Sequence, residues 1–188
     1  MSKVPVPYTD YFAQTMQRMC EEGLLLATSG SDGKPNVMTI GWGMIGSIWA
    51  RPVFLTLVRP SRYSYSLLEQ VGDFTVNVLP PELSAAAAHC GSVSGRKHNK
   101  FREAKLTSIP AHEVRSPIIQ ECLIHYECRT VQRVDMDSNA LMQSIKAQFY
   151  KAGDFHRLYF GEIVACFADD DAAERLRSGE QSRQSSLP

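Results

Sequence analysis

The residues best suited to chemistry begin with a short basic segment, residues 59–64 (RPSRYS). This segment follows a predicted buried strand and opens a predicted helix. Backbone N–H groups at a helix start attract anions, and the arginine guanidinium matches phosphate with a bidentate fork. The clustered arginines and serine hydroxyls therefore indicate a phosphate site. A capped helix with solvated arginines has the same pattern, so both interpretations stay open.

A second basic segment, residues 92–100 (SVSGRKHNK), combines strong cations with small hydroxyls on a glycine loop. Such a loop can hold a phosphate or the edge of a cofactor, although a solvated basic turn is the alternative. The chain as a whole has a formal net charge of +0. Two such loops in a neutral chain make a single phosphorylated ligand more plausible than either loop alone.

A third segment, residues 36–42 (NVMTIGW), has the composition of a strand that can approach a flat ring closely. Its backbone could pair with the polar edge of such a ring, while a plain barrel strand is the alternative. Residues 41–46 (GWGMIG) match the spacing of a dinucleotide-binding fingerprint. That fingerprint requires a following helix, and Arg51-Pro52 leaves no room for one, so we reject it.

Composition excludes several classes of partner. Balanced charge argues against nucleic acid and anionic membranes, which usually leave a basic excess. No apolar run approaches the length of a membrane-spanning helix, and the N-terminus lacks a signal-peptide pattern, so the cytoplasm is the expected location. The odd number of cysteines, 5, and their irregular spacing predict free thiols. Cys90, beside the second basic segment, has either a lowered pKa or a buried structural role.

The elements that must position these segments are mostly strands. The pattern predicts a helix over residues 9–22, capped by Thr9 or Asp10, with an apolar core stripe of Phe12, Met16, Met19 and Cys20. Residues 138–150 are ambiguous. Further helices are expected over 61–71 and 81–90, and strands over 24–28, 36–44, 53–58, 73–79, 118–134 and 158–167.

These elements predict a mainly β fold, a closed β-barrel with helical additions. We expect a single domain over residues 1–170. Residues 171–188 turn from charged to rich in Ser, Gln and Arg, which predicts a disordered C-terminal tail.

Three stretches also carry a family resemblance. They are residues 36–80 (NVMTIGW…PVFLTLVRPSRYSYSLLE…GDFTVNVLP), 90–101 (CGSVSGRKHNKF) and 156–164 (HRLYFGEIV). In this order they resemble the flavin reductase-like, FMN-binding split-barrel family, most closely its flavoredoxin branch. The resemblance implies a Greek-key split barrel and a homodimer with FMN at or near the subunit interface.

By the same resemblance, the site residues take particular roles. His156 is the candidate catalytic residue, near the flavin face, and a structural histidine is the alternative. Three groups are expected to bind FMN: Met38, Thr39, Ile40, Gly41 and Trp42 along the isoalloxazine; Ser61, Arg62, Tyr63 and Ser64 at the phosphate and ribityl chain; Ser94, Gly95, Arg96 and Lys100 on the far side.

The function expected from the resemblance is an NADH- or NADPH-dependent flavin reductase that passes electrons to an acceptor. One alternative is a flavoredoxin-type carrier that shuttles electrons to a redox partner protein. Others are a haem- or pyridoxal-phosphate-binding split barrel, and a dimeric binding protein that has lost its redox role. The histidines lie in no recognisable haem motif, and the sequence shows no nicotinamide pocket.

Overall fold

The computed structural model describes residues 3–177, and its centre is one antiparallel sheet. Alternating or wholly apolar segments form the strands, as their burial on one or both faces requires. The strands of the sheet are β1 Lys3–Pro5, β2 Leu24–Ser29, β3 Pro35–Ile40, β4 Gly43–Ile48, β5 Arg51–Val58, β6 Asp73–Val78, β9 Ile124–Asp135 and β10 Arg157–Asp169. A separate small ribbon pairs β7 Ser108–Ile109 with β8 Ile118–Ile119. The mainly β fold class with helical additions is confirmed.

The strand order is β3-β2-β6-β9-β10-β5-β4, with β1 paired to the end of β10. β9 and β10 form the long central pair, and irregularities interrupt their register. One irregularity lies at Gly161, where a Cβ atom would meet Phe74 Cζ at 2.5 Å and Cys128 Cβ at 2.8 Å. Only glycine lets the strand pass this close to the core. β3 lies at one end of the order, so one of its edges pairs with no other strand of residues 3–177.

The helices lie in the connections between the strands. They are α1 Phe12–Glu21, α2 Tyr63–Val71, α3 Ser84–Ser92, α4 Lys100–Glu103 and α5 Gln143–Phe149, with a 3-10 turn at Pro81–Leu83 before α3. α2 ends as predicted at Gly72, whose φ of 76° is the left-handed conformation that glycine tolerates. α3 is fixed to β3 because the Thr39 hydroxyl donates to the Ala87 carbonyl. This hydrogen bond holds α3, and the loop that follows it, against β3.

The first predicted helix exists, and half of its predicted core stripe is confirmed: Met19 is buried and Met16 packs against the core. Phe12 and Cys20 were assigned wrongly and are exposed, whereas Thr15 and Arg18 are buried in their place. Thr15 lies inside because its hydroxyl bonds the buried Tyr126 hydroxyl at 2.9 Å. The predicted cap is also wrong: Tyr11 precedes the helix, and no side chain caps it.

Two predicted strands are broken in the structure. Residues 36–44 form the end of β3 and the start of β4, separated at Gly41 and Trp42; β4 also confirms that the glycine pattern there is no dinucleotide fingerprint. Residues 118–134 are divided between β8 and β9. Two polar side chains of β9, His125 and Glu127, are buried, and both have hydrogen-bond partners inside the protein.

The Glu127 carboxylate and that of Asp73 anchor the segment of residues 110–117 to the sheet. Glu127 accepts hydrogen bonds from the backbone N–H groups of His112 (2.9 Å) and Glu113 (2.6 Å). Asp73 accepts from the backbone N–H and the hydroxyl of Ser116. Each buried charge is thus satisfied within the chain, as burial demands.

The prediction placed the start of the disordered tail too early in the chain, at residue 171. Residues 172–177 are helical, and Ala172 and Leu176 are buried against the main core, so apolar contacts hold this part of the chain on the domain. The rest of the predicted tail, residues 178–188, lies outside the described residues. Among residues 3–177, no helix combines the length and apolar character needed to cross a membrane.

Candidate functional site

A cleft of about 250 Å³ opens between the end of β3, the start of α2 and the loop that joins α3 to α4. It gathers segments that lie far apart in sequence. All the predicted cofactor-binding residues except Arg96 line it, as does His156. The remaining lining residues, to which the sequence assigned no individual contact with a cofactor, are Leu57, Arg59, Cys90, Gly91 and Val93.

One end of the cleft is built to receive an anion. α2 starts there without a side-chain cap, so the N–H groups of Tyr63 and Ser64 have no partner inside the helix. Arg62 and Lys100 also line this end. No aspartate or glutamate of residues 3–177 lines the cleft, and within that range the Arg62 side chain makes no hydrogen bond or ion pair. Positive charge therefore gathers here, and none of the described lining residues supplies a carboxylate against it.

Lys100 is the most constrained cation of the cleft. It is 6% exposed, and its Nζ donates to the Cys90 carbonyl at 2.7 Å. Burial lowers its pKa, Cys90 opposes the change, and the nearby positive charge of Arg62 lowers the pKa further. An anion between Lys100 and Arg62 would relieve both the desolvation of the ammonium group and the repulsion between the two cations.

Ser61, predicted as a phosphate ligand, has another partner in the structure. Its backbone N–H and hydroxyl donate to the Asp154 carboxylate at 3.2 and 2.6 Å. Arg59 donates to the carbonyls of Phe149 and Asp154 at 3.0 and 2.9 Å. These contacts tie residues 149–156 to the start of α2 and set the wall that carries His156.

The opposite end of the cleft is flat and largely apolar. The free edge of β3 runs along it through Met38 to Ile40, where the strand ends, and Gly41 follows. Trp42 then turns beside His156, with 4.9 Å between their ring centroids, and is 39% exposed. This end offers unpaired backbone groups and aromatic faces to a planar ligand.

His156 is held in a defined protonation state. Its Nδ1 lies 2.7 Å from the Tyr150 hydroxyl, and both side chains are buried. Burial lowers the pKa of His156 to about 4, and the positive charge of Arg59 adds to this effect. Burial also raises the pKa of Tyr150, so its hydroxyl keeps its proton near pH 7. The imidazole is therefore neutral near pH 7 and is hydrogen-bonded to Tyr150 through Nδ1.

Cys90 and Arg96 differ from what the sequence predicted. Burial raises the pKa of Cys90 to about 11 despite the opposing effect of Lys100, so a lowered thiol pKa is wrong and the buried structural role stands. All the cysteines are free, as predicted. Arg96 lies outside the cleft, where its guanidinium covers the Tyr63 ring and donates to the Ser61 carbonyl at 3.1 Å.

The fold is shared with known FMN-binding split barrels. Flavoredoxin of Desulfovibrio vulgaris (Miyazaki F) superposes with a TM-score of 0.65 at 22% identity, covering 79% of this chain and 70% of that one. The FMN-binding domain of a flavin reductases-like enzyme from Shewanella baltica OS155 gives 0.64 at 17% identity, covering 89% and 78%. The predicted split barrel is confirmed.

The sequence comparison identifies the family. The model of the flavin reductase like domain matches residues 16–182, and the chain belongs to that family, as the resemblance predicted. An uncharacterized protein of Archaeoglobus fulgidus is 34% identical over 139 residues, which are 74% of this chain and 68% of the relative. The family supports a flavoprotein oxidoreductase in general terms.

Proposed function

We propose that this protein binds FMN in the cleft and acts as a flavin reductase that takes its electrons from NADH or NADPH. The observation that carries the proposal is the convergence of Arg62, Lys100 and the uncapped start of α2 in a cleft whose described lining contains no carboxylate. Such a set of donors fits a phosphate ester and would be unfavourable without an anion.

The donor set of the cleft fits FMN along its whole length. Arg62, Lys100 and the N–H groups of Tyr63 and Ser64 would hold the phosphate. The free edge of β3 from Met38 to Ile40 would offer backbone groups to the polar edge of the isoalloxazine. Gly95 lets its loop pack closely on β3 and α2, because a Cβ atom there would meet Tyr63 Cδ1 at 2.8 Å and collide with Asn36.

His156 would serve as a neutral hydrogen-bond donor. Bound FMN would supply the redox chemistry, as a group that accepts hydride. In the tautomer that we propose, the Tyr150 hydroxyl donates to Nδ1 and the Nε2–H group of His156 would remain for a ligand in the cleft. A positioned donor favours negative charge that develops nearby. The depressed pKa makes imidazolium rare at neutral pH, so we assign His156 this role and not that of a proton donor.

A second candidate is a flavoredoxin-type electron carrier. The mouth of the cleft favours it, because Trp42 is 39% exposed and the neighbouring Phe149 is 41% exposed, with their ring centroids 5.1 Å apart. An exposed aromatic edge next to a bound flavin would suit contact with a partner protein. The two candidates differ in whether a nicotinamide nucleotide reduces the bound flavin.

We also propose that the protein is a homodimer. Large apolar side chains are exposed around α5 and the start of β4, at Met44, Met142, Ile145 and Phe149. Burying them against a second copy would remove this surface from water. Light scattering of the purified protein at several concentrations would measure the mass, and a monomer throughout would contradict this proposal.

The decisive experiment is the visible spectrum of the purified protein after FMN addition and gel filtration, followed by anaerobic addition of NADH or NADPH. Retained flavin bands that bleach support the reductase, and retained bands that do not bleach support the carrier. A protein that stays colourless overturns the proposal.

Arg62→Ala should weaken FMN binding by about 1.5–3 kcal/mol, the range for a hydrogen bond to a charged group. The matched control is Arg129→Ala, since Arg129 is exposed on β9 and lines no part of the cleft. Equal affinities for the two variants would remove Arg62 from the site.

A further inference from the structure

A second cavity, here called the groove, lies beside the cleft and has a volume of about 670 Å³. The two share Tyr63, Gly95 and Lys100 as a common wall. They also follow the same strand: the groove takes the first part of β3, at Pro35 and Val37, and the cleft takes the second part. At about 3.3 Å per residue, β3 extends for about 17 Å along the two cavities.

The groove is strongly cationic. Its lining contains no carboxylate of the described residues, and its basic side chains are Lys34, Lys97, His98, Lys100 and Arg102. Lys34 pairs with Asp32 at 3.2 Å, and His98 with Glu103 at 3.1 Å. The side chains of Lys97 and Arg102 have no such partner within residues 3–177, so their charges are available to a ligand.

The floor of the groove is apolar. Val37, Phe101 and Leu106 are buried there and belong to the smaller hydrophobic cluster beneath the sheet. An apolar floor under a cationic rim suits a ligand with a flat, weakly polar body and several negative groups. The volume is that of a small-molecule pocket, which favours a nucleotide over an acidic protein segment.

We propose that the groove binds the phosphorylated adenosine half of a nicotinamide dinucleotide, with Lys97 and Arg102 on its phosphate groups. This inference rests on the proposed function, because it assumes that the other half of the dinucleotide reaches the cleft across the shared wall. Arg102 can take a phosphate with its guanidinium fork. An additional phosphate on the ribose gives the second cation a ligand, so NADPH binds more tightly than NADH.

The direct test uses adenosine 2′,5′-bisphosphate, which carries the phosphates but has no nicotinamide and cannot donate hydride. Titration calorimetry of the FMN-loaded protein should show saturable binding that adenosine 5′-monophosphate matches only at concentrations about tenfold higher or more. Lys97→Ala and Arg102→Ala should each weaken the bisphosphate by a similar factor. Both side chains are exposed, and Arg129→Ala is the matched control.

Three results would overturn the groove as a nucleotide site. They are no binding of the bisphosphate to FMN-loaded protein, equal binding in all variants, or equal binding of inorganic phosphate at the same concentration. Displacement of FMN by the bisphosphate would also overturn it, because the ligand would then occupy the cleft.

FMN affinity, measured separately by flavin fluorescence, keeps this inference distinct from the proposed function. If FMN fails to bind, the proposed function fails, and titration of the flavin-free protein still tests the groove. If FMN binds and the bisphosphate does not, only the groove proposal fails. Steady-state rates with NADPH and NADH then provide the second readout, and equal KM values would contradict the assigned preference.

Discussion

Two regions of this molecule concentrate charge, and they treat it in opposite ways. Beneath residues 110–117, the buried carboxylates of Asp73 and Glu127 are surrounded by backbone N–H donors from the chain itself. In the cleft, Arg62 has no partner in the described residues, and Lys100 has a single carbonyl.

The difference separates structural charge from functional charge. A buried ion whose hydrogen bonds are complete fixes a segment in place and has nothing left for a ligand. Cations that converge without a counter-ion repel one another, and only an added anion removes that cost. Each region therefore predicts a different response to substitution.

The largest effect on folding should come from Glu127→Ala. The N–H groups of His112 and Glu113 would lose their acceptor, and each hydrogen bond to a charged group contributes about 1.5–3 kcal/mol. We expect the free energy of unfolding to fall by about 3 kcal/mol in urea titrations. FMN affinity of the folded fraction should stay unchanged, and a comparable loss of affinity would show that the two regions are coupled.

Lys100→Met should weaken FMN binding without lowering the stability of the protein. It removes the buried ammonium group while keeping an unbranched apolar side chain, so FMN should bind about 1.5–3 kcal/mol more weakly. The stability of the flavin-free protein should not decrease, because burial opposes the charged form of Lys100. Flavin fluorescence titration and urea unfolding measure the two quantities. A destabilised protein with full affinity would place Lys100 among the structural charges.

Acid should destabilise both regions through their histidines. Burial lowers the pKa of His125, beside Asn77, to about 3 and that of His156 to about 4, from 6.5. Between these values the unfolded chain binds more protons than the folded one, so stability is complete above pH 6.5 and falls on acidification. We expect Tm to fall between pH 6.5 and about 4.5. A smaller decrease in His156→Gln would assign part of it to the cleft, whereas an unchanged wild-type Tm would contradict both shifts.

The smallest effect distinguishes two buried tyrosines. Tyr150→Phe frees Nδ1 of His156, and flavin reduction should slow by about fivefold, as expected for a hydrogen bond of about 1 kcal/mol. Tyr126→Phe removes the bond to Thr15 in the core, so stability should fall slightly while reduction stays normal. Stopped-flow reduction and thermal unfolding compare them. A faster or unchanged rate in Tyr150→Phe would leave the Tyr150 hydroxyl without a role in reduction.

Much of the fold could be predicted because local patterns determine it. The buried run of β5 and the Gly72 stop of α2 are visible in sequence. The break at Gly41 and Trp42 was not, because it depends on β4 turning back to pair with β5. The burial of Glu127 was equally hidden, since its partners come from residues 110–117 and only the tertiary fold brings them there.

The candidate site shows the same division. Residues of the basic segments could be identified because clustered charge in a neutral chain is a local signal. The Asp154 clamp on Ser61 and the Tyr150 bond to His156 depend on residues 149–156, whose sequence was ambiguous or carried no charge pattern. Asp154 adopts a φ of 57°, a conformation that aspartate tolerates better than most residues. That tolerance was the one available signal, and it is too weak to assign a partner.

The position of Trp42 means that its fluorescence should report on binding in the cleft. Indole emission overlaps flavin absorption, so a flavin bound next to this side chain would quench its fluorescence by energy transfer. Trp49, the other tryptophan, lies at the turn between β4 and β5 and packs near Phe160. A Trp49→Phe variant would therefore carry a single intrinsic reporter, whose brightness follows occupancy of the cleft in real time without any attached dye.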